Sequence, residues 1–294
     1  MLLVRLSDGL GNQLFQYAYA LCLSKAGASV QLDRSWFPEF GKNRLRHATP
    51  RAYALGHYAL RLPMAPVELA DQLIYGADLW AGLRRLLHKR PGLLREGRHD
   101  MSPQRLVALT TDKYVRGFFQ EWRFPEMVRS ELLEDLRLPE SVADAANLAM
   151  AERIRSCPCA VALHIRRGDY LNEDCLSVHG LCSADYYARA VQLMTERTGQ
   201  APHLFVFSDD PAWVVNHFHA SCPMTPVDIN SGDKGYLDLN LMRACRHAII
   251  ANSTFSWWGA WLIENPDKVV VAPEHWFADG RDSSSLCPAA WLRV

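Results

Sequence analysis

The sequence predicts an α/β protein built on a mainly parallel, doubly wound sheet, and three observations carry that expectation. Short apolar runs alternate with stretches of helical spacing through the second half of the chain. Several of those runs end abruptly in polar turns, as strands do when their carboxyl ends open into a ligand crevice. The chain also begins with a strand, a glycine-containing turn and a helix, the start of a βαβ unit. At 294 residues it exceeds the usual size of one domain. Two domains are expected, 1–150 and 151–294, with the joint in the stretch 140–158 and with room for the last helical segment to pack back on the first domain.

The elements follow in order. "LLVRL" (2–6) is a strand, "GLGNQLFQYAYALCLSKAGA" a turn entering a helix that stops at Gly27, and "SVQLD" a second strand closing at Asp33. Residues 40–105 are rich in Arg, Leu and Pro, and within them "ELADQLIYGADLWAGLRRLLHKR" has helical spacing. "KYVRGFFQEW" is a strand leading into the helix "PEMVRSELLEDLRL", and "SVADAANLAMAERIR" is a further helix. From there the alternation is clean: strand 160–166, helix "SADYYARAVQLMTERTG", strand "HLFVFSDD", helix "PAWVVNHF". Helix "GYLDLNLMRAC", strand "HAIIAN", helix "TFSWWGAWLIEN" and strand "KVVVAP" complete the chain.

Composition excludes some classes. Lys plus Arg number 32 and Asp plus Glu 32, so there is no net charge to attract nucleic acid or an anionic membrane. The most apolar region, "IIANSTFSWWGAWLI", is interrupted by Asn252, Ser253, Thr254 and Ser256, too polar for a membrane span. The apolar run at the N-terminus is too short for a secretory signal. A soluble cytoplasmic protein is expected, with peripheral association at the inner face of the membrane left open. The 8 cysteines are irregularly spaced. Cys157 and Cys159 lack the gap of a metal knuckle, and Cys175, His179 and Cys182 would need a fourth ligand such as Cys222 from elsewhere. Free thiols in a reducing compartment are the simpler account.

Four polar turns concentrate the chemistry. In "HIRRGDY" (164–170) a buried strand runs into two arginines, a glycine and an aspartate. Forked guanidinium donors there suit an anionic group, although a turn in which Arg166 or Arg167 merely pairs with Asp169 reads equally well in isolation. In "ANSTFSWW" (251–258) an amide and hydroxyls sit at a helix start, where a cap is expected on structural grounds alone. The same start also offers an anion site, able with Arg166 to clamp a pyrophosphate. "FSDD" (207–210) puts Asp210 before Pro211, which fits a helix cap better than a metal-binding carboxylate pair. In "SDGLGNQ", Gly9 and Gly11 match two glycines of a dinucleotide fingerprint, but Leu14 occupies the third position. Asn12, Gln13 and Gln16 instead offer amides to a ligand such as a sugar, unless the turn is only a tight helix entry.

"GLGNQLFQYA", "GFFQ", "HIRRGDY", "FSDD", "LMRACRHAIIANSTFSWWGAWL" and "KVVVAPEHWF" occur in order. Together they resemble bacterial α-1,2-fucosyltransferases of glycosyltransferase family 11 over nearly the whole chain. "HIRRGD" is shared more broadly among fucosyltransferases, whereas "NSTFSWWGAW" with "GLGNQLFQYA" is more specific. The family usually has glycine where Asp8 stands here, and residues 40–105 match only loosely. The resemblance implies a GT-B fold, two Rossmann-like domains facing across a cleft. It implies GDP-β-L-fucose as donor substrate in the C-terminal domain and a terminal β-galactoside acceptor against the N-terminal one. Inversion at the anomeric carbon, no cofactor and no required metal also follow from it.

The expected product carries fucose on the 2-hydroxyl of galactose, in an O-antigen or another oligosaccharide. Arg166 and Asn12 are the expected catalytic residues. Gly11, His164, Arg166, Asp169, Ser208, Asp238, Asn252, Ser253, Thr254, Phe255 and Ser256 are the expected donor contacts, with Asp169 shaping the arginine turn and Asp238 reading guanine. His179 and Glu121 are the candidates for a base. The rivals are a fucosyltransferase of α-1,6 linkage, a dinucleotide-dependent oxidoreductase using Gly9, Gly11 and Asp33, and a non-catalytic sugar-binding module. The last requires Trp257, Trp258 and Trp261 to be exposed, whereas a helix after a buried strand puts them in the core.

Overall fold

The computed structural model describes residues 1–39, 51–76, 80–87, 90–168 and 173–294, except the side chains of Arg85, Glu140, Glu173, Asp174 and Cys175. They form two compact units, Met1–Arg137 and Leu138–Val294, where the sequence put the division at 150. Each unit has its own sheet, and every strand pair is parallel. Two parallel-sheet α/β units are what a GT-B protein is composed of.

In the first unit the order along the chain is β1 (Leu2–Arg5), α1 (Leu10–Lys25), β2 (Val30–Asp33), α2 (Leu69–Tyr75), α3 (Ala81–Leu86) and β3 (Leu93–Arg95). Then come α4 (Pro103–Val107), β4 (Lys113–Arg116), α5 (Arg123–Met127) and α6 (Arg129–Asp135). The sheet order is β2-β1-β4-β3. From Gln13 to Leu23 every residue of α1 is buried, so this helix is enclosed all round rather than along one stripe. It needs polar anchors: the Tyr17 hydroxyl bonds to Asp135, which also takes the Arg61 guanidinium. Two expected long helices are each divided. The stretch from 123 breaks at Val128, whose φ/ψ of −129°/32° is not helical, to give α5 and α6. The stretch from 68 stops at Gly76, whose φ of 90° is accessible to glycine at little cost.

The second unit runs α7 (Ala145–Ser156), β5 (Ala160–Ile165), α8 (Glu173–His179), α9 (Ala184–Thr198), β6 (His203–Ser208) and α10 (Pro211–His217). It continues with β7 (Met224–Pro226), α11 (Gly235–Arg243), β8 (His247–Ile249), α12 (Thr254–Trp261), β9 (Val270–Ala272) and β10 (Leu292–Arg293). The sheet order is β7-β6-β5-β8-β9-β10. Counted from β5 as the first strand, that is 3-2-1-4-5-6, the doubly wound order whose sense of progression reverses between the first and fourth strands. Ligands of such sheets bind at that reversal, outside the carboxyl ends of the strands. All six residues of β5 are buried. Val161, Leu163 and Ile165 pack with Tyr187, Ala190 and Met194 of α9 and Val206 of β6. Trp257, Trp258 and Trp261 of α12 are at most 1% exposed, as the sequence leads one to expect, and cannot serve as stacking platforms for a sugar.

The short elements β3, α4, α8, β7 and β10 were not foreseen, because two to seven residues give no periodicity to read. Among the described residues no helix is long and apolar enough to cross a membrane.

Candidate active site

The parallel register of β5 with β6 brings Ile165 opposite Ser208, so the "RRG" turn leaves the sheet beside "SDD". Asp209 organises both. Its Oδ2 lies 3.1 Å from Nη1 of Arg166, and its Oδ1 accepts the Arg167 backbone N–H at 2.9 Å. Gly168 leaves room for this closeness: a Cβ there would fall 2.4 Å from Oδ2 of Asp209 and push the carboxylate away from Arg166. Arg167 lies 3.9 Å over the Trp213 ring, with Nε 3.5 Å from Asp210. Asp210 caps α10 as expected, accepting the Trp213 N–H at 3.1 Å. Ser208 Oγ accepts the Asp210 N–H at 3.0 Å, so this hydroxyl sits within the same turn. Asp209 braces this turn among the described residues; Asp169 is the residue expected to shape it. Asp169 itself and Tyr170 lie outside the described residues.

His164, the penultimate residue of β5, is 2% exposed, and its Nδ1 is buried with no hydrogen-bond partner. Its carbonyl accepts the Tyr187 hydroxyl at 3.1 Å. Burial, reinforced by the neighbouring Arg166 charge, pushes the imidazole down to about 3, so it is neutral at pH 7. The ring lies 5.5 Å from that of Phe255 in α12, across the β5–β8 reversal. Phe255 in turn lies against α11, where a Cβ on Gly235 would touch its ring at 3.4 Å. Asp238, one turn further along α11, accepts from Nδ2 of Asn230 at 2.7 Å. Asn230 and Asn147 exchange two amide bonds of 2.9 Å, and Asn147 also donates to Asp144. Burial, with Asp228 adding a like charge, raises the Asp238 carboxyl to about 6.

The start of α12 differs from the expectation in its details. Asn252 is 3% exposed and joins three segments: its Nδ2 donates to the carbonyls of His179 and Trp276, and its Oδ1 accepts the Cys182 thiol at 3.6 Å. Ser256 donates to the Ala251 and Ser253 carbonyls. Ser253 occupies the N-cap position without making a side-chain cap. Thr254 and Phe255 are partly exposed, so the uncapped first turn turns its partial positive charge outward.

In the first unit, Asp8 has a φ of 70°, the left-handed region that the family's glycine would occupy. Its carboxylate accepts the Gly9 N–H and Nδ2 of Asn12, whose Oδ1 accepts from Gln120 at 2.7 Å. Gly11 is buried in the first turn of α1. Gln13 and Gln16, foreseen as ligand amides, are fully buried. Gln13 ties Asp8 to Ala52 and Ala54, and Gln16 ties Ser7 to Gly117. Both glutamines serve the backbone. Asp33, the acid an oxidoreductase would need for a ribose, is 1% exposed and already bound by Ser35 and the Tyr114 hydroxyl. Glu121 pairs with Arg123. The Cys182 thiol is raised to about 11 by burial, which disfavours the thiolate a metal needs. The Cys175 side chain in that grouping lies outside those described.

His164, Arg166, Ser208, Asp238 and the α12 start thus all lie in the second unit, and Gly11 and Asn12 in the first. Sequence reasoning passed over Asp209, Trp213, Asn230 and Asn147. Only Asp209 left a signal, as the acid of "SDD" that the helix cap did not use.

These features define an α/β protein with a cation-lined turn and an uncapped helix start on either side of a strand-order reversal. Residues 103–293 match the model of Glycosyl transferase family 11, and the chain belongs to that family. It is 30% identical to the O-antigen biosynthesis glycosyltransferase WbnK of Escherichia coli, over 98% of this chain and 99% of that one. To an alpha-1,2-colitosyltransferase of Escherichia coli it is 30% identical over 100% and 99%. Among solved structures it aligns with the fucosyltransferase NodZ from Bradyrhizobium, at 16% identity over 88% of this chain and 90% of that one, with a TM-score of 0.49.

Proposed function

We propose that the protein transfers L-fucose from GDP-β-L-fucose to the 2-hydroxyl of a terminal galactose, with inversion. The observation that carries the reading is the arginine turn after β5, braced by Asp209 and lying beside the His164–Phe255 contact at the β5–β8 reversal. Galactose O2 attacks the fucose anomeric carbon from the face opposite GDP. The C–O bond to the β-phosphate breaks, its electrons leave with GDP, and the hydroxyl proton passes to a base or to the departing phosphate. Arg166 and the first turn of α12 stabilise the charge that develops on that phosphate, which makes a metal unnecessary. No cofactor is proposed.

Ser253, Thr254 and Phe255 contact the diphosphate side, and neutral His164 offers its ring edge without adding charge. Asp238 accepts the N1–H and 2-amino donors of guanine. Asn12, held between Asp8 and Gln120, faces the acceptor sugar. Asn252, Ser256 and Ser208 support these contacts through the bonds that fix their turns. A second reading is favoured by the full-length likeness to an alpha-1,2-colitosyltransferase: the same residues would serve a colitosyl donor.

Incubation with GDP-fucose and a panel of β-galactosides, with GDP release and product linkage measured by NMR, tests the reading. Fucose on O2 is expected, with turnover retained in EDTA. An α-1,6 product, or no turnover with any galactoside while a colitosyl donor is used, overturns it. Loss of turnover in EDTA restored by manganese overturns the metal-free mechanism.

A further inference from the structure

The carboxyl edge of the first unit's sheet carries a second cationic site, unrelated to the arginine turn. Arg5, Arg116 and Arg95 end three neighbouring strands, β1, β4 and β3, and Arg95 stands directly opposite Arg116 in the register. Period-two alternation puts Arg5, Arg116 and Arg95 on the same sheet face as Leu3, Tyr114 and Leu93, the face that packs with α2. Between that face and α2 lies a cavity of about 300 Å³. Arg5, Arg90 and Arg116 reach its wall, together with the rings of Trp36, Tyr75 and Tyr114.

Among the described residues positive charge exceeds negative here, although Asp33 acts on Arg5 from the end of β2. The cavity wall has one acid, Asp71, against three arginines. Asp33, at the end of β2 beside Arg5, already accepts three hydrogen bonds from Ser35 and Tyr114. Nε of Arg5 and Nε of Arg95 are both buried without a hydrogen-bond partner. Burial and the neighbouring charges of Arg116, Arg90 and Arg98 depress Arg95 below the usual arginine range. Buried guanidinium groups normally find carboxylates or other acceptors. Arg5, with that buried Nε, and the exposed Arg90 and Arg116 around one open cavity are arranged for an anion that arrives with the ligand.

We propose that this cavity binds an anionic sugar, a single saccharide unit bearing a carboxylate or phosphate. The forked donors of Arg5 and Arg116 match a planar carboxylate or a phosphate face. The aromatic walls suit the C–H face of a pyranose ring, and the volume is at the lower end of small-ligand pockets. Identification of that sugar as part of the acceptor glycan rests on the glycosyl-transfer reading above; its binding does not.

Calorimetry on the GDP-free protein with glucuronate, glucose 1-phosphate, glucose and inorganic phosphate tests the proposal. Glucuronate and glucose 1-phosphate are expected to bind saturably, at least about tenfold more tightly than glucose or phosphate. Arg90 and Arg116 are exposed, so Arg90→Gln and Arg116→Gln should fold, and each should weaken both charged sugars about tenfold. The dissociation constant for GDP should be unchanged in both variants. Absence of saturable binding, equal binding of glucose, phosphate as tight as the phosphosugar, or affinity indifferent to both substitutions would each overturn it. Charged-sugar binding in a protein that transfers no fucose would sink the fucosyl reading and leave this one standing.

Discussion

Arg166 illustrates how a single side chain acquires a role from its neighbours. The Asp209 carboxylate is shared between its guanidinium and the next backbone N–H, which fixes the direction in which the remaining donors point. Lysine at 166 would keep the charge and lose the fork. Arg166→Lys should therefore lower kcat at least about a hundredfold, the scale of removing one transition-state donor, with circular dichroism unchanged. Near-normal turnover would reduce the turn to a structural one. Two titrating groups make pH predictions of different kinds. On the proposed reading Asp238 takes guanine's donors as a carboxylate, and its pKa of about 6 puts the change in the accessible range. The GDP affinity advantage of the wild type over Asp238→Asn should be roughly ten- to hundredfold at pH 8 and should shrink as pH falls through 6. An advantage constant from pH 5 to 8 would move guanine recognition elsewhere. His164 titrates near 3 in the folded chain and near 6.5 when unfolded. The unfolded state takes the proton first, so stability present above pH 6.5 is lost on acidification toward 3, at up to about 1.4 kcal/mol per pH unit. Urea midpoints should fall less steeply below pH 6 in His164→Gln than in the wild type.

At the scale of elements, helix starts separate structural from functional use of the same residue types. Asp144, Ser183 and Asp210 cap α7, α9 and α10 with side-chain acceptors. Ser253 stands in the same position on α12 and makes no such bond. Asp210→Ala should cost about 1 kcal/mol in denaturant unfolding. Ser253→Ala should cost a few tenths at most while weakening GDP binding. Equal destabilisation of the two would mean that Ser253 is an ordinary cap. The Asp210 cap was legible because side chain, proline and following helix all lie within four residues. The division between α5 and α6 was not, because Val128 leaves the helical region between good helix formers, Met127 before it and Arg129, Glu131 and Leu132 after it.

Over the whole molecule the cysteines offer a simple check. Cys22, Cys157, Cys159, Cys182, Cys222, Cys245 and Cys287 are all free. The melting temperature should not change when a reductant is added, and a drop of several degrees would reveal a disulfide. Alternation of strands and helices, burial of the tryptophan helix and the Asp210 cap followed from the sequence alone, because each depends on residues close together along the chain. The resemblance of its ordered motifs also led to family 11. Tertiary structure decided which polar residues of those motifs face outward. Gln13, Gln16 and Asn252 have the chemistry of ligand contacts, yet the fold brings distant backbone carbonyls to them, while Ser256 turns onto the Ala251 and Ser253 carbonyls of its own turn. Asp209 was a spare acid until the β5–β6 register placed it under Arg166. The arginine row of the first unit is likewise invisible along the chain, since Arg5, Arg95 and Arg116 meet only when β1, β4 and β3 align. Local pattern fixes what an element is, whereas a side chain's partner depends on strand register and packing between residues far apart in sequence.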